Sequence, residues 1–284
     1  MFEEEEDILS FEEEEEETQE PVNYDEYIDK QIQDALNENK GNLERELLQK
    51  IPNSECYYNS ITAAIGQQNK GKTLSVLKEI IKISQNDPFC HLLVYINKTG
   101  EPTDSTFESI KKLIKCPIIY RSHEDAEEYI HQLLLFKQLY NSIKENHYED
   151  KIDDNQRNEM FENLFINDFS KKFCHTLIFL DDAVKSKLIE KKNSDFNQWL
   201  TQCRHIQCSI FLAVQYLRGL STNIKSNLST VFIFSGFSAQ QFNVIRNQIN
   251  MQIPKEELWY KYTQLSNHGK IIHDCIRGIT KFIY

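Results

Sequence analysis

The feature that most restricts this chain is the run Gly66-Gln67-Gln68-Asn69-Lys70-Gly71-Lys72-Thr73, a complete GxxxxGK[ST] element. It follows an apolar stretch, residues 60–65, and opens an amphipathic one, residues 73–84, with Leu74, Leu77, Ile80 and Ile81 on one side. Strand, glycine turn and helix in that order are the context in which the motif folds into a phosphate-binding loop. The glycines let successive backbone N–H groups curl around phosphate oxygens, and the helix turns its positive end towards them. Lys72 is placed to reach the β- and γ-phosphates, and Thr73 to offer its hydroxyl to Mg²⁺. An α/β domain that binds a nucleotide is the expectation.

The remaining pattern extends this reading. From residue 54 strand-like and helical stretches alternate, as in a parallel sheet with crossover helices. The runs 91–96 (HLLVYI), 176–180 (TLIFL), 209–214 (SIFLAV) and 230–234 (TVFIF) are unbroken and apolar, which suits strands covered on both faces. Residues 117–120 form a shorter apolar piece, 124–146 a long amphipathic helix, and 148–157 read as a polar loop. Residues 270–284 predict a hairpin turning at Arg277-Gly278. The expected organisation is a domain over 54–284 with a helical insertion at about 121–172, a helical segment over 24–53, and a disordered acidic tail over 1–23.

Composition bounds the function classes. Of the 284 residues, 40% are hydrophobic, enough for a core. No uncharged apolar run approaches the roughly 18 residues of a membrane span, and Met1-Phe2 leads into glutamates, so neither a span nor a secretory signal is expected. The net charge of −12 is concentrated: residues 1–29 hold 15 Asp and Glu and no Lys or Arg, and the rest holds 29 acids against 32 bases. The tail reads as a solubilising segment, or as a decoy for nucleic acid on a basic surface. Seven cysteines without a CxxC pair argue for reduced thiols and against zinc.

Two further elements point to chemistry. The strand 176–180 ends in Asp181-Asp182. After a phosphate loop, Asp181 is assigned to hold Mg²⁺ through water. Asp182 then stands where a carboxylate polarises the attacking water, although it is one methylene shorter than glutamate; the alternative is a helix N-cap. The strand 209–214 ends at Gln215, and carboxyl ends of parallel strands border the ligand crevice. Gln215 is therefore a candidate to sense the γ-phosphate or position water, or else a loop residue satisfied by backbone. A strand, a Gln and a further strand after the Asp pair predict the additional-strand topology.

The stretches HTLIFLDDA (175–183), CRHIQCSIFLAVQY (203–216) and NIKSNLSTVFIFSGFS (223–238) resemble the genome-packaging ATPases of large DNA viruses, poxvirus type, within the FtsK–HerA superfamily of DNA pumps. The resemblance covers about residues 54–250. It implies a P-loop NTPase of RecA-like, additional-strand type: a mainly parallel sheet with helices on both faces, to which the predicted C-terminal β-hairpin is added. It also implies Mg²⁺-dependent ATP hydrolysis that drives double-stranded DNA into capsids. The partners would be further copies in a homo-oligomeric ring and capsid or portal-vertex proteins. The place would be the host cytoplasm (viral factory) or the virion.

Carried over residue by residue, Gly66, Gln67, Gln68, Asn69, Lys70, Gly71, Lys72 and Thr73 bind nucleotide, and Thr73 and Asp181 hold Mg²⁺. Lys72, Asp182 and Gln215 are catalytic. Arg204, Arg218 and Lys225 are candidates to contact a neighbour's nucleotide, Arg204 and Arg218 each against the alternative of a surface salt bridge. Lys225 falls where family members often have arginine, and lysine lacks the planar fork. Lys98, Lys111, Lys112 and Lys115 are candidate DNA contacts, against a solvated helix face. Phe237, Phe242, Trp259, Tyr260 and Tyr262 are candidate base stackers, against core packing or hairpin contacts. Competing readings are another FtsK–HerA-type pump, a helicase-like ATPase, and a nucleotide-gated capsid-assembly scaffold with weak turnover.

Overall fold

The computed structural model describes residues 30, 49–101, 105–166, 174–182, 189, 200 and 202–284. The chain divides into two units, Met1–Leu47 and Leu48–Tyr284. In the first, only Lys30 is described, and it is helical. The expected acidic tail over 1–23, most of the expected helical segment and the end of the expected insertion lie outside the described residues. The second unit carries the sheet and the phosphate loop.

Among the described residues eight strands form one sheet: β1 (Ile61–Ile65), β2 (Cys90–Asn97), β3 (Ile118–Ser122), β4 (His175–Leu180), β5 (Cys208–Val214), β6 (Leu228–Phe234), β7 (Lys270–Asp274) and β8 (Ile279–Ile283). Their order is β3-β2-β4-β5-β1-β6-β7-β8. The pairs from β3 through to β6 are parallel, and β7 and β8 close the sheet as an antiparallel hairpin. Gly278, at φ 69°, makes the turn that L residues with side chains adopt at a penalty. Strand β5 separates β1, which leads into the phosphate loop, from β4, which ends at Asp181. That is the additional-strand arrangement.

Alternation along the strands explains why both faces are covered. Ile61, Ala63 and Ile65 of β1 and Leu92, Val94 and Ile96 of β2 enter one apolar layer, while Ala64, Leu93 and Tyr95 enter the other. The second layer packs α1 (Lys72–Asn86) through Val76, Leu77, Ile80 and Ile83, and α2 (Ser105–Ile110) through Phe107. The first packs α3 (Ala126–Asn146), α4 (Asp154–Leu164), the short α5 (Thr222–Ser226), α6 (Ala239–Gln248) and α7 (Lys255–Thr263). No described helix is long and apolar enough to cross a membrane.

One local expectation is corrected. Residues 148–157 are not a loop: a 3-10 turn at Glu149–Lys151 leads into α4. The Asp153 carboxylate accepts the Gln156 N–H at 2.8 Å, which caps the helix, and Met160 and Leu164, one turn apart, bury its inner face. The helix is polar elsewhere, so its periodicity is weak.

Two buried polar clusters fasten the layers. Lys137 of α3 is 1% exposed, and its ammonium donates to Cys174 O (2.7 Å), Thr176 Oγ1 (2.8 Å) and Gln207 O (3.0 Å). Three protons meet three acceptors, which holds α3 against the starts of β4 and β5; burial pulls the lysine pKa below its usual value. Beside it, His175 Nδ1 lies 2.7 Å from Asp87 Oδ2, and His175 Nε2 2.7 Å from Ser209 Oγ. Ser209 also receives the Asn59 N–H at 3.1 Å. With His175 at 0% and Ser209 at 1% exposure, this Ser-His-Asp alignment is closed to substrates and joins β1, β4, β5 and the turn after α1.

Candidate nucleotide site

The phosphate loop leaves the carboxyl end of β1, where Gly66 N–H donates to Val214 O at 3.2 Å. A side chain at Gly66 has no room, because its Cβ would lie 2.8 Å from Phe234 Cβ. Asn69 (φ 60°) and Gly71 (φ 88°) are both left-handed, which turns successive N–H groups inward before α1 begins. Lys72 Nζ donates to Gln67 O within the loop at 2.8 Å. Burial lowers its pKa, and the nearby Asp181 and Asp182 carboxylates oppose that.

Asp181 is the hub of the site. Thr73 Oγ1 stands 3.0 and 3.2 Å from its two oxygens, and Tyr95 of β2 donates its hydroxyl to Oδ2 at 2.9 Å. Burial pushes its pKa up, while Tyr95, Thr73 and the Asp182 N–H pull it back. A hydroxyl and a carboxylate converging on one point are the hard oxygen donors that Mg²⁺ prefers. The donor set fits that ion.

Asp182 is exposed and left-handed at φ 49°, not in the extended conformation typical of an N-cap. Gln215, at the end of β5, donates to its Oδ1 at 3.4 Å. The additional strand thus sets Gln215 beside the Asp pair, 33 residues away in sequence. His123, which belongs to no motif in the sequence, sits where β3 leads into α3, with Nε2 3.2 Å from the Asp181 carbonyl oxygen. It holds the peptide from which Asp182 projects. Burial lowers the His123 pKa.

Other candidates are scattered. Arg204 precedes β5, on the amino edge of the sheet, opposite the phosphate loop, and lines a small recess with Ser226 and Asn227. Arg218 is exposed on the 3-10 turn Leu217–Gly219 after β5. Lys225 of α5 has its pKa lowered by burial and then by the charge of Arg218. The four lysines do not form one surface: Lys98 follows β2 at the carboxyl edge, while Lys111, Lys112 and Lys115 precede β3 at the amino edge. Lys111 is paired with Glu108 at 2.6 Å. The aromatic stackers are mostly core. Phe237, Phe242 and Tyr262 are buried, Phe242 stacks on Tyr262 at 4.1 Å, and the Tyr262 hydroxyl donates to Phe234 O at 2.8 Å. Tyr260 alone of the five is widely exposed, at 68%.

Residues 133–269 match the family model of the Poxvirus A32 protein. The chain is similar to that family. The matched stretch takes in Asp181, Asp182, Arg204, Gln215, Arg218 and Lys225 and leaves out residues 66–73, so the phosphate loop stands on its motif and geometry. Among solved structures, the DNA-packaging ATPase B204 of Sulfolobus Turreted Icosahedral Virus is 14% identical, with 80% of this chain and 97% of that one covered and a TM-score of 0.50. The cytoplasmic domain of the Type VII secretion ATPase EccC of Thermomonospora curvata is 13% identical, with 78% of this chain and 25% of that one covered and a TM-score of 0.52. At such identities these likenesses establish the fold alone, the α/β sheet of P-loop proteins. No curated protein matches the chain in sequence.

Proposed function

We propose that this chain is an ATP-hydrolysing motor that moves viral double-stranded DNA into capsids. The observation that carries the reading is the meeting of the phosphate loop, the Thr73–Asp181 pair and the Asp182–Gln215 pair at one carboxyl edge. The similarity to the Poxvirus A32 protein family, and to the fold of a DNA-packaging ATPase, supports it.

The loop amides and Lys72 bind the β- and γ-phosphates, Lys72 exchanging the Gln67 carbonyl for phosphate oxygen. Thr73 and Asp181 are the residues that would hold Mg²⁺, which when bound neutralises charge on the β- and γ-oxygens. Asp182 takes the proton of the attacking water, with Gln215 steadying its carboxylate. Gln215 runs directly into Tyr216 and the turn that carries Arg218, a short route from the γ-phosphate to the surface. Arg204 lies at the edge of the sheet opposite its own phosphate loop, so a role at a nucleotide belongs to a neighbour in a homo-oligomeric ring. DNA would be held through its phosphates, which makes binding steeply salt-dependent. Capsid or portal-vertex proteins are the remaining partners, in the host cytoplasm or the virion.

The test is calorimetry with ATP and Mg²⁺, then hydrolysis with and without linear duplex DNA. Asp182→Asn is expected to keep ATP binding and lose about 100-fold in kcat; unchanged turnover removes Asp182 from the mechanism. Absence of ATP uptake by the folded protein overturns the whole reading. Tight binding without turnover in the presence of DNA and capsids favours the gated scaffold, and strand separation favours a helicase-like enzyme.

His123 has a separate expected outcome. His123→Ala should lower kcat about tenfold through loss of aim at Asp182, with KM for ATP changed less than twofold. His123→Gln, which keeps an N–H at similar reach, should restore most of the rate. Equal rates for all three proteins would reduce His123 to packing.

A further inference from the structure

A cavity of about 500 Å³ continues from the phosphate loop along the first turns of α1. Besides the loop itself, Leu74, Ser75 and Lys78 of α1 line it, together with Phe234 of β6 and His268. That volume is ample for a nucleoside triphosphate. With its β- and γ-phosphates in the loop, such a ligand has its sugar and base within reach of the remaining lining of this cavity.

His268 belongs to the loop between α7 and β7, and that loop is braced. Ser235 N–H donates to Gly269 O at 3.1 Å and Ser235 Oγ to Asn267 O at 2.8 Å. Lys70 Nζ donates to Asn267 Oδ1 at 2.6 Å, tying the loop to the phosphate loop itself. Gly269 N–H closes on Ser266 O at 2.9 Å, and a Cβ at Gly269 would meet Ser266 N at 2.9 Å. Yet the residue at the tip is exposed, with His268 Nδ1 3.8 Å from the place of a Cβ on Gly71. Leu74, also exposed, faces the same space from α1. An imidazole on a braced loop and an aliphatic side chain, lining one cavity beside a phosphate site, offer surfaces for a flat ring.

We infer that His268 and Leu74 clamp the base of the bound nucleotide, His268 by stacking, and that the cavity favours a purine. This rests on the nucleotide reading above. A purine covers more of the imidazole than a pyrimidine, and stacking on a flat side chain tolerates differences at the ring edge. His268 is therefore a specificity residue, and the loop 266–269 is the part of the molecule that reads the nucleoside.

Calorimetry on the full chain with Mg²⁺ tests this, with ATP, CTP and inorganic tripolyphosphate as probes for the parent, His268→Ala and His268→Phe. The parent should bind ATP at least about fivefold tighter than CTP. His268→Ala should weaken ATP about tenfold and leave tripolyphosphate within twofold, and His268→Phe should keep ATP affinity. Undiminished ATP binding by His268→Ala overturns the inference. So does equal weakening of ATP and tripolyphosphate, which would mean that the substitution disturbs the phosphate loop. A parent that binds neither ATP nor tripolyphosphate sinks the nucleotide reading itself, a result distinct from any confined to His268.

Discussion

Lys72→Ala is expected to cut ATP hydrolysis by roughly 100- to 1,000-fold, the range for removing one preorganised donor aimed at developing charge. The folded protein gives up little, since the hydrogen bond lost is that to Gln67 O on a half-buried side chain. Such a bond contributes about 1 kcal/mol. Stability and activity should therefore separate cleanly: a melting temperature within a few degrees of the parent, with turnover near background. Lys72→Arg is expected to fail as well. The guanidinium keeps the charge, but its planar fork does not reproduce the compact ammonium that Lys72 presents. The measurement is phosphate release at saturating ATP. A Lys72→Ala protein that hydrolyses ATP at the parent's rate would remove the phosphate loop from the chemistry.

His175→Ala is expected to be the most damaging single change to stability, at about 3 kcal/mol. It leaves the Asp87 carboxylate and the Ser209 hydroxyl without their central partner in a region closed to water. Urea unfolding measures it; a loss below about 1 kcal/mol, the worth of one ordinary hydrogen bond, would show that the cluster is ornamental. The same residue gives stability a pH dependence of definite sign. Burial, although opposed by Asp87, holds the folded His175 pKa below the ordinary value of about 6.5. As pH falls through that value, the unfolded chain takes up the proton first. The stabilisation is complete above about pH 6.5 and is lost as pH falls towards the folded value. His123 and His273, both also lowered by burial, act in the same direction. Replacing His175 by Gln should flatten the decline of stability below neutrality, and an unchanged slope would assign the decline to other groups.

The phosphate loop was legible because its chemistry is local: eight consecutive residues, a strand before and a helix after. Asp181 and Gln215 were legible for a related reason, since each is the first polar residue after an unbroken apolar run. The position of β5 between β1 and β4 followed from the strand order after the Asp pair. Two contacts of Asp181 besides Thr73 were not legible. Tyr95 and His123 reach it across 86 and 58 residues of sequence, and neither belongs to a local pattern. The lysines at 98 and 111–115 are neighbours in sequence and lie on opposite edges, because β2 and β3 are parallel and the one connection between them returns from the carboxyl to the amino edge. His268 carried no signal of its own; the cavity it faces exists only once β7 has paired with β6.

That pairing has an implication for how a copy of this molecule is born. Lys70 and Asn267, partners across 197 positions, together with Ser235, lock the loop beside the phosphate site. A ribosome delivers the glycine motif early, but the pocket wall arrives only when the chain beyond residue 269 has emerged and zipped onto β6. Prematurely ended products would carry the glycine motif without a finished pocket, and so have little means of competing with the full-length chain for a ligand.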